Sequence, residues 1–321
     1  RAWFHKFSSF LLSHGFVCSS SDTSMFVYHH GSTTIILLLY VDDIILTGSS
    51  SYVLHNFISV LSHQFAMKDL GDLYYFWGVQ VARNSQGIFL SQQKYIHDLI
   101  RKFHMHAAKP VRTLSLSRTS LTLTNEKLLA DPTEYRSMVG ALQYVTMTRP
   151  DIAYVVHVVS QYMHAPRTTY LHAVKHIFRY LQGTLSFGLQ LRSVSTPSVI
   201  VAYSDADWAG CKDSCRSTTG YAVFFGPNLI SKCSKKQPTV SKSFTEAEYR
   251  AVAYTVAETI WIRKLLADLG LRLSSPTKVY CDNVSASYMT VNPVKHERSK
   301  HIAVYYHFVH ERVAHGDLVV R

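Results

Sequence analysis

Between Ile35 and Leu46 the chain reads Ile-Ile-Leu-Leu-Leu-Tyr-Val-Asp-Asp-Ile-Ile-Leu, two apolar runs around an adjacent acidic pair, Asp42 and Asp43. The runs are too short and too β-rich for an ordinary core helix. They predict a strand, a tight acidic turn and a return strand. Two carboxylates held between buried strands are costly unless something positive neutralises them. Mg²⁺ meets that need, because it takes hard oxygen ligands and sits between carboxylates and a substrate phosphate. An Asp-Asp turn facing water fits the same residues, and the tetrapeptide alone leaves both readings open.

The wider setting carries more. Tyr40-Val-Asp-Asp43, followed by Ile-Ile-Leu-Thr-Gly, resembles the metal-binding box of reverse transcriptases, in the form found in copia-type LTR-retrotransposon polyproteins. Further landmarks of that family follow in its order. They are Phe65-Ala-Met-Lys-Asp-Leu-Gly-Asp-Leu-Tyr-Tyr-Phe-Trp-Gly78, Tyr135-Arg-Ser-Met-Val-Gly-Ala-Leu-Gln-Tyr144, Thr148-Arg-Pro-Asp-Ile152, Tyr203-Ser-Asp-Ala-Asp-Trp-Ala-Gly210 and Thr245-Glu-Ala-Glu-Tyr-Arg-Ala251. The box alone is a weak signal; the ordered series across nearly the whole chain is a strong one.

Composition agrees with a folded protein: 47% hydrophobic and 17% charged over 321 residues, enough for two or three cores. No apolar run reaches the length of a membrane span. The chain opens on Arg-Ala-Trp-Phe without Met or a signal peptide, as expected of a piece from within a longer protein. Five scattered cysteines fit reduced intracellular thiols, and Cys211 and Cys215 lack the second pair that a zinc site would want. The net charge of +12 lies mostly beyond the first segment: residues 1–110 carry eight basic and six acidic groups, 111–198 nine and four, and 199–321 sixteen and eleven. That distribution suits a chain gripping phosphates with its later parts, although a solvated basic surface gives the same numbers.

We expect an α/β (α+β) fold in three parts. Residues 1–110 form a partial reverse-transcriptase palm: a helix over Trp3–Leu12 ended by Gly15, strand Met25–His29, the acidic hairpin, helix Tyr52–Phe65, strands Tyr74–Ala82 and Gly87–Ser91, and helix Tyr95–Phe103. The family places a third metal-binding carboxylate upstream of this hairpin, and Asp22 does not match that position. Two carboxylates on one hairpin are too few to hold two metal ions across a phosphate, so the chain as it stands is not expected to polymerise DNA.

Residues 111–195 form a helical thumb or connection, opening with a polar linker from Arg112 to Asn125. Asp131-Pro-Thr-Glu134 reads as a helix start with an Asp cap. Helices are predicted over Pro132–Met147, Asp151–Met163 and Thr168–Leu181. The last is two-faced, with Leu171, Val174, Phe178 and Leu181 on one side and His172, Lys175, His176 and Arg179 on the other. By resemblance that basic stripe faces the template–primer duplex; a solvent-facing stripe explains it too.

In residues 196–321, strand Val199–Ser204 ends at Asp205. Gly220–Phe225 and Leu229–Ser231 form a hairpin around Gly226, and Thr239–Ser241 is a third strand. Ser243-Phe-Thr-Glu246 is a capping box opening a helix over Ala247–Leu269 closed by Gly270, and strand Lys278–Cys281 ends at Asp282. Carboxylates at two strand ends and on a packed helix can converge at one sheet edge. This part resembles the RNase H fold, whose metal-binding set falls on Asp205, Glu248 and Asp282, passing over Asp207 and Glu246. The resemblance implies hydrolysis of RNA in an RNA–DNA hybrid with Mg²⁺, or Mn²⁺ in its place. Lys235, Lys236 and Lys242 would contact phosphates, although a solvated basic turn accounts for them as well.

The chain departs from the family at several positions. Ala303 stands where an acidic residue serves as a fourth carboxylate, Tyr305 where Asp is frequent, and His310 where Arg is common. Lys232 replaces a tryptophan and Phe244 a serine. The expectation is a retrotransposon Pol fragment with a weakened RNase H, working with upstream parts of the polyprotein in a cytoplasmic particle or the nucleus. The alternatives are a nucleic-acid-binding relic without catalysis and a structural protein reusing the fold.

Overall fold

In a computed structural model of the chain, the described residues are 2–114, 127–194, 199–292 and 302–321. Most of the expected linker (115–125) and the segment 298–301 before Ile302 lie outside them. The chain divides into two compact units, one of residues 1–73 and 257–275, the other of 74–256 and 276–321.

The first unit begins with α1 (Ala2–Ser13), whose aromatic spacing places Phe7 and Leu11 in the core. A four-stranded antiparallel meander follows: β1 (Val17–Cys18), β2 (Met25–His30), β3 (Thr33–Tyr40) and β4 (Asp43–Gly48), in spatial order β1-β2-β3-β4. The period-two rule is visible in β3, where Ile35, Leu37 and Leu39 are buried. With α2 (Ser51–Gln64) they enclose one core of Phe7, Leu11, Phe26, Leu37, Leu61 and Phe65. The expected hairpin is present, with Tyr40 paired to Asp43 across a two-residue turn of Val41 and Asp42. Residues 257–275 join this unit through Trp261, whose Nε1 donates to the Ser21 carbonyl at 3.0 Å, and through Asp268, which accepts the Ser19 hydroxyl at 2.6 Å.

The second unit contains two sheets and a helical core. β5 (Tyr75–Phe76), β6 (Val79–Asn84) and β7 (Gly87–Ser91) form an antiparallel sheet that β8 (Leu189–Arg192) completes. The single strand expected over Tyr74–Ala82 is broken instead, because Trp77 and Gly78 take φ of 50° and 81° and turn the chain back on itself. Gly87 lies so close to β8 that a Cβ there would meet the Leu191 carbonyl at 2.2 Å, which is why only glycine fits.

Helices α3 (Gln93–Lys102), α4 (Thr133–Val145), α5 (Ala153–Ser160) and α6 (Thr168–Gly183) pack around Ile96, Tyr135, Leu142, Val156, Phe178 and Leu181. Asp131 accepts the Thr133 N–H at 2.8 Å, but α4 begins one residue later than expected, with Pro132 at the cap position and Asp131 just before it. The helix expected over Asp151–Met163 is shorter: Pro150–Ile152 is a 3₁₀ turn, and α5 ends at Ser160, where the backbone passes into turns.

The second sheet takes β9 (Ile200–Asp207), β10 (Thr218–Phe225), β11 (Asn228–Lys236), β12 (Thr277–Cys281) and β13 (Leu318–Val320) in the order β11-β10-β9-β12-β13. The first three pair antiparallel, and β12 joins β9 and β13 in parallel. With α7 (Phe244–Asp268), α8 (Val284–Val291) and α9 (Ala303–Ala314) this is the mixed sheet with helices that the resemblance implied. Residues 244–256 of α7 fall in this unit and 257–268 in the first.

Three local expectations fail here. The strand expected over Leu229–Ser231 continues as β11 to Lys236, so Lys235 and Lys236 pair with Thr219 and Thr218 of β10 and do not lie in a turn. β9 continues through Asp205 to Asp207. Thr239–Ser241 is a loop, because its backbone carbonyls bind side chains rather than a neighbouring strand: Arg250 takes Thr239, and Trp208 Nε1 takes Ser241 at 3.1 Å. No helix among the described residues is long and apolar enough to cross a membrane.

Candidate metal centre

Along β9, Ala202, Ser204 and Ala206 point inward while Tyr203 and Asp205 are exposed. β12 lies parallel to it, with Cys281 opposite Ser204, so Asp205 and Asp282 each stand one residue beyond that pair. Asn283 then caps α8 by accepting the Ala286 N–H at 2.7 Å, which fixes Asp282 at a strand-to-helix turn.

Glu248 comes from the first turns of α7, where Ala247 and Ala251 pack on Ala206 of β9. These small side chains allow the helix to approach the sheet closely. Glu248 Oε1 accepts the Ala206 N–H at 3.2 Å, and the residue is 0% exposed. Burial, and then the charges of Asp205 and Asp282, raise its carboxyl to about 7. Ligand atoms of Glu248, Cys281 and Asp282 lie within 4.8 Å of one another, a grouping able to hold a metal ion. The exposed Asp205 stands outside that group, although its charge acts on both Glu248 and Cys281. Burial and these carboxylates push the Cys281 thiol up to about 11.

The two acidic neighbours have other tasks. Glu246 pairs with Arg250 at 2.5 Å and accepts the Lys242 N–H at 2.9 Å, while its own N–H donates to Ser243 Oγ at 3.1 Å. The capping box expected from the sequence is thus built, with its return bond one residue further back. Asp207 accepts the Thr218 N–H, and its carboxyl is raised, chiefly by burial. Gln237, which sequence reasoning did not single out, is buried. It donates to Thr219 Oγ1 at 3.1 Å and the Ala247 carbonyl at 2.9 Å, and accepts the Ser241 hydroxyl at 2.8 Å. It ties the loop before α7 to the helix that carries Glu248.

Of the expected basic contacts, Lys235 and Lys242 are exposed, whereas the half-buried Lys236 ammonium donates to Cys211 Sγ. In the α6 stripe His172 is exposed and Lys175 half-buried. His176 Nε2 pairs with the Thr113 carbonyl at 2.9 Å, and Arg179 Nε donates to the Lys109 carbonyl at 2.7 Å. Asp42 and Asp43 are exposed at the tip of the β3–β4 hairpin, in the other unit. Ala303 opens α9 and brings a methyl group where the resemblance implies a carboxylate.

The sequence places Cys281 at the end of a strand and among five scattered thiols, without a role at the metal centre. Its position directly before Asp282, at a strand end, was the available signal.

Residues 1–116 match the family described as "Reverse transcriptase (RNA-dependent DNA polymerase)". Over 320 residues the chain is 49% identical to the Retrovirus-related Pol polyprotein from transposon RE1 of Arabidopsis thaliana, covering 100% of this chain and 22% of that protein. It is 39% identical over 334 residues to the corresponding protein from transposon TNT 1-94 of Nicotiana tabacum, covering 100% of this chain and 25% of that one. The chain therefore spans about a quarter or less of the length of these polyproteins. An uncharacterized mitochondrial protein of Arabidopsis thaliana, AtMg00810, is 47% identical over 68% of this chain and 90% of its own length. Among solved structures, LC11-RNase H1 isolated from compost superposes on 38% of this chain and 82% of its own, at 20% identity and a TM-score of 0.29.

Proposed function

The chain belongs to the retrovirus-related Pol polyproteins of copia-type transposons, and on that premise we propose that its C-terminal part is a divalent-metal ribonuclease acting on the RNA strand of RNA–DNA hybrids. The observation that carries the reading is Glu248. It is a buried carboxylate set among Asp205 and Asp282, and its ionisation is costly until a cation arrives. The donor set suits such an ion, because Glu248 and Asp282 offer hard oxygens within one grouping and the exposed Asp205, outside it, would turn in to add a third. Bound Mg²⁺ or Mn²⁺ would activate water and neutralise charge developing on the phosphate.

The chain's own residues do the rest. Ala206 holds Glu248 Oε1 toward the sheet, and the packing of Ala247 and Ala251 keeps the helix from drifting off it. The Asn283 cap directs Asp282 to the same edge. Lys235 and Lys242 are exposed and available to phosphates. Recognition would rest on hybrid shape and 2′-hydroxyls rather than base sequence. His172 and Lys175 would extend the grip along the duplex. Asp42 and Asp43 are assigned to the polymerase metal box of the same polyprotein. Polymerisation would draw its remaining ligands from other parts of that protein, which are its natural partners in a particle or nucleus.

One observation favours a second reading, a relic that binds nucleic acid without cleaving it: Ala303 supplies no fourth carboxylate. Cleavage of a labelled RNA–DNA hybrid in Mg²⁺ and in Mn²⁺, with Asp205→Asn as control, separates the two. Cleavage abolished by the substitution supports the ribonuclease. A folded chain that binds the hybrid without cutting it supports the relic, and Ala303→Glu then tests whether the missing carboxylate is the cause. Absence of binding removes both.

A further inference from the structure

The acidic centre contains a soft ligand. Cys281 Sγ lies 3.9 Å from Glu248 Oε2, and among the described residues that thiol is the only hydrogen-bond partner of this oxygen. Glu248 is fully buried, and a thiol is a weak donor, so Oε2 is a desolvated carboxylate oxygen with little compensation. Asp282 adds a second oxygen from an exposed and therefore adjustable side chain. Mg²⁺ has no use for sulfur, whereas thiolate ligands favour zinc and its congeners.

We propose that Glu248, Cys281 and Asp282 form a site for a thiophilic divalent cation, Zn²⁺ in the cell, which competes with the hard cation of the acidic centre. Only the competition rests on the ribonuclease reading; the binding does not. On association the Cys281 S–H proton passes to solvent, a sulfur–metal bond forms and water leaves the ion, with no change of oxidation state. Tetrahedral zinc places sulfur and oxygen ligands about 3.6 Å apart. The observed grouping within 4.8 Å then closes by about 1 Å, a rotation within reach of Asp282. Three protein ligands leave a fourth position for water. Cys211 offers no equivalent site, because its sulfur is held by the Lys236 ammonium and the Ser214 hydroxyl, and a cation there meets a like charge.

The test is titration of the full, metal-free chain with Cd²⁺, followed by the ultraviolet sulfur-to-cadmium charge-transfer band. The band is expected in the wild type and in Cys211→Ser, and is lost in Cys281→Ser. Zn²⁺ affinity falls about tenfold or more in the latter. No band in the wild type, or a band that survives Cys281→Ser, overturns the proposal. Should Cys281→Ser not fold, the wild type decides: Zn²⁺ is expected to protect Cys281 from iodoacetamide, mapped by mass spectrometry, and equal labelling with and without zinc refutes the site. Neither readout depends on cleavage. A chain that shows the band without cutting hybrid refutes the ribonuclease and leaves the zinc site standing. A chain that cuts in Mg²⁺ without the band does the reverse.

Discussion

Glu248 Oε1 accepts the backbone N–H of Ala206 at 3.2 Å, tying the first turns of α7 to β9 inside the second unit. The bond satisfies one oxygen of a carboxylate that has no exposed surface, and leaves its charge to be balanced by something else.

A pH dependence follows from that imbalance. The Glu248 carboxyl rises from 4.5 to about 7 on folding. The unfolded chain gives up this proton at lower pH than the folded one. The metal-free fold therefore loses stability as pH climbs through that interval and does not regain it above. The effect is on the order of 3 kcal/mol at most. Urea unfolding in chelator at about pH 5 and about pH 8 is expected to show this loss in the wild type and a smaller one in Glu248→Gln. Equal pH dependence in both would refute it. Added divalent cation should restore stability at the higher pH, since it binds the folded state alone.

The acidic hairpin stores strain. Val41 is 69% exposed and takes a φ of 53°, a left-handed conformation that a β-branched residue rarely adopts. Positive φ at the first of two turn residues is the type II′ pattern, in which glycine is favoured. Val41→Gly is expected to raise the melting stability by up to about 1 kcal/mol, and Val41→Ile to leave it unchanged. A destabilising glycine would show that the turn is not strained.

Arg149 is the anchor of the helical core. It is 1% exposed and reaches Asp151 at 2.7 Å, the Thr184 carbonyl at 3.0 Å and Thr184 Oγ1 at 2.8 Å, while its guanidinium stands over the rings of Tyr180 and Phe187. Arg149→Leu is expected to cost roughly 3 kcal/mol or more, because Asp151 and the Thr184 groups lose a buried partner. The double variant with Asp151→Leu should cost less than the sum of the two singles. Strict additivity in denaturant unfolding would mean that the pair does not act as a unit.

The basic stripe on α6 divides into two kinds of residue. Arg179 and His176 hold the backbone of 109–113, so Arg179→Ala is expected to cost about 1–2 kcal/mol of stability. Lys175→Glu is expected to weaken hybrid binding and to change the salt slope by about 1 or more, with little effect on folding. Melting curves and binding at several salt concentrations separate them. An Arg179→Ala chain that melts like the wild type would mean the contact to Lys109 contributes nothing.

How much could be read in advance varied with the range of the interaction. The recurrence of Val174, Phe178 and Leu181 at helical spacing predicts a helix over Thr168–Leu181, and α6 runs over Thr168–Gly183. The β3–β4 hairpin was equally legible, since two apolar runs around an acidic turn leave little alternative. β8 was not. Four residues, Leu189–Arg192, have no pattern of their own and are a strand only because β7 presents an edge about a hundred residues earlier. The loop Thr239–Ser241 looked like a strand for the opposite reason: its composition suits one, but Arg250 and Trp208 reach its carbonyls first.

The sequence by itself determined which carboxylates fall on or beside a strand or a helix, because caps, turns and apolar periods are set by near neighbours along the chain. The choice of Asp205, Glu248 and Asp282 over their neighbours Asp207 and Glu246 came from the resemblance to the RNase H fold, which local pattern alone does not supply. Only the tertiary structure decided which groups meet: Glu248, Cys281 and Asp282 gather, and Asp205 stands outside their group. The parallel register of β12 on β9 and the close approach of α7 over Ala206 set those distances. They join residues far apart along the chain, which no local pattern specifies.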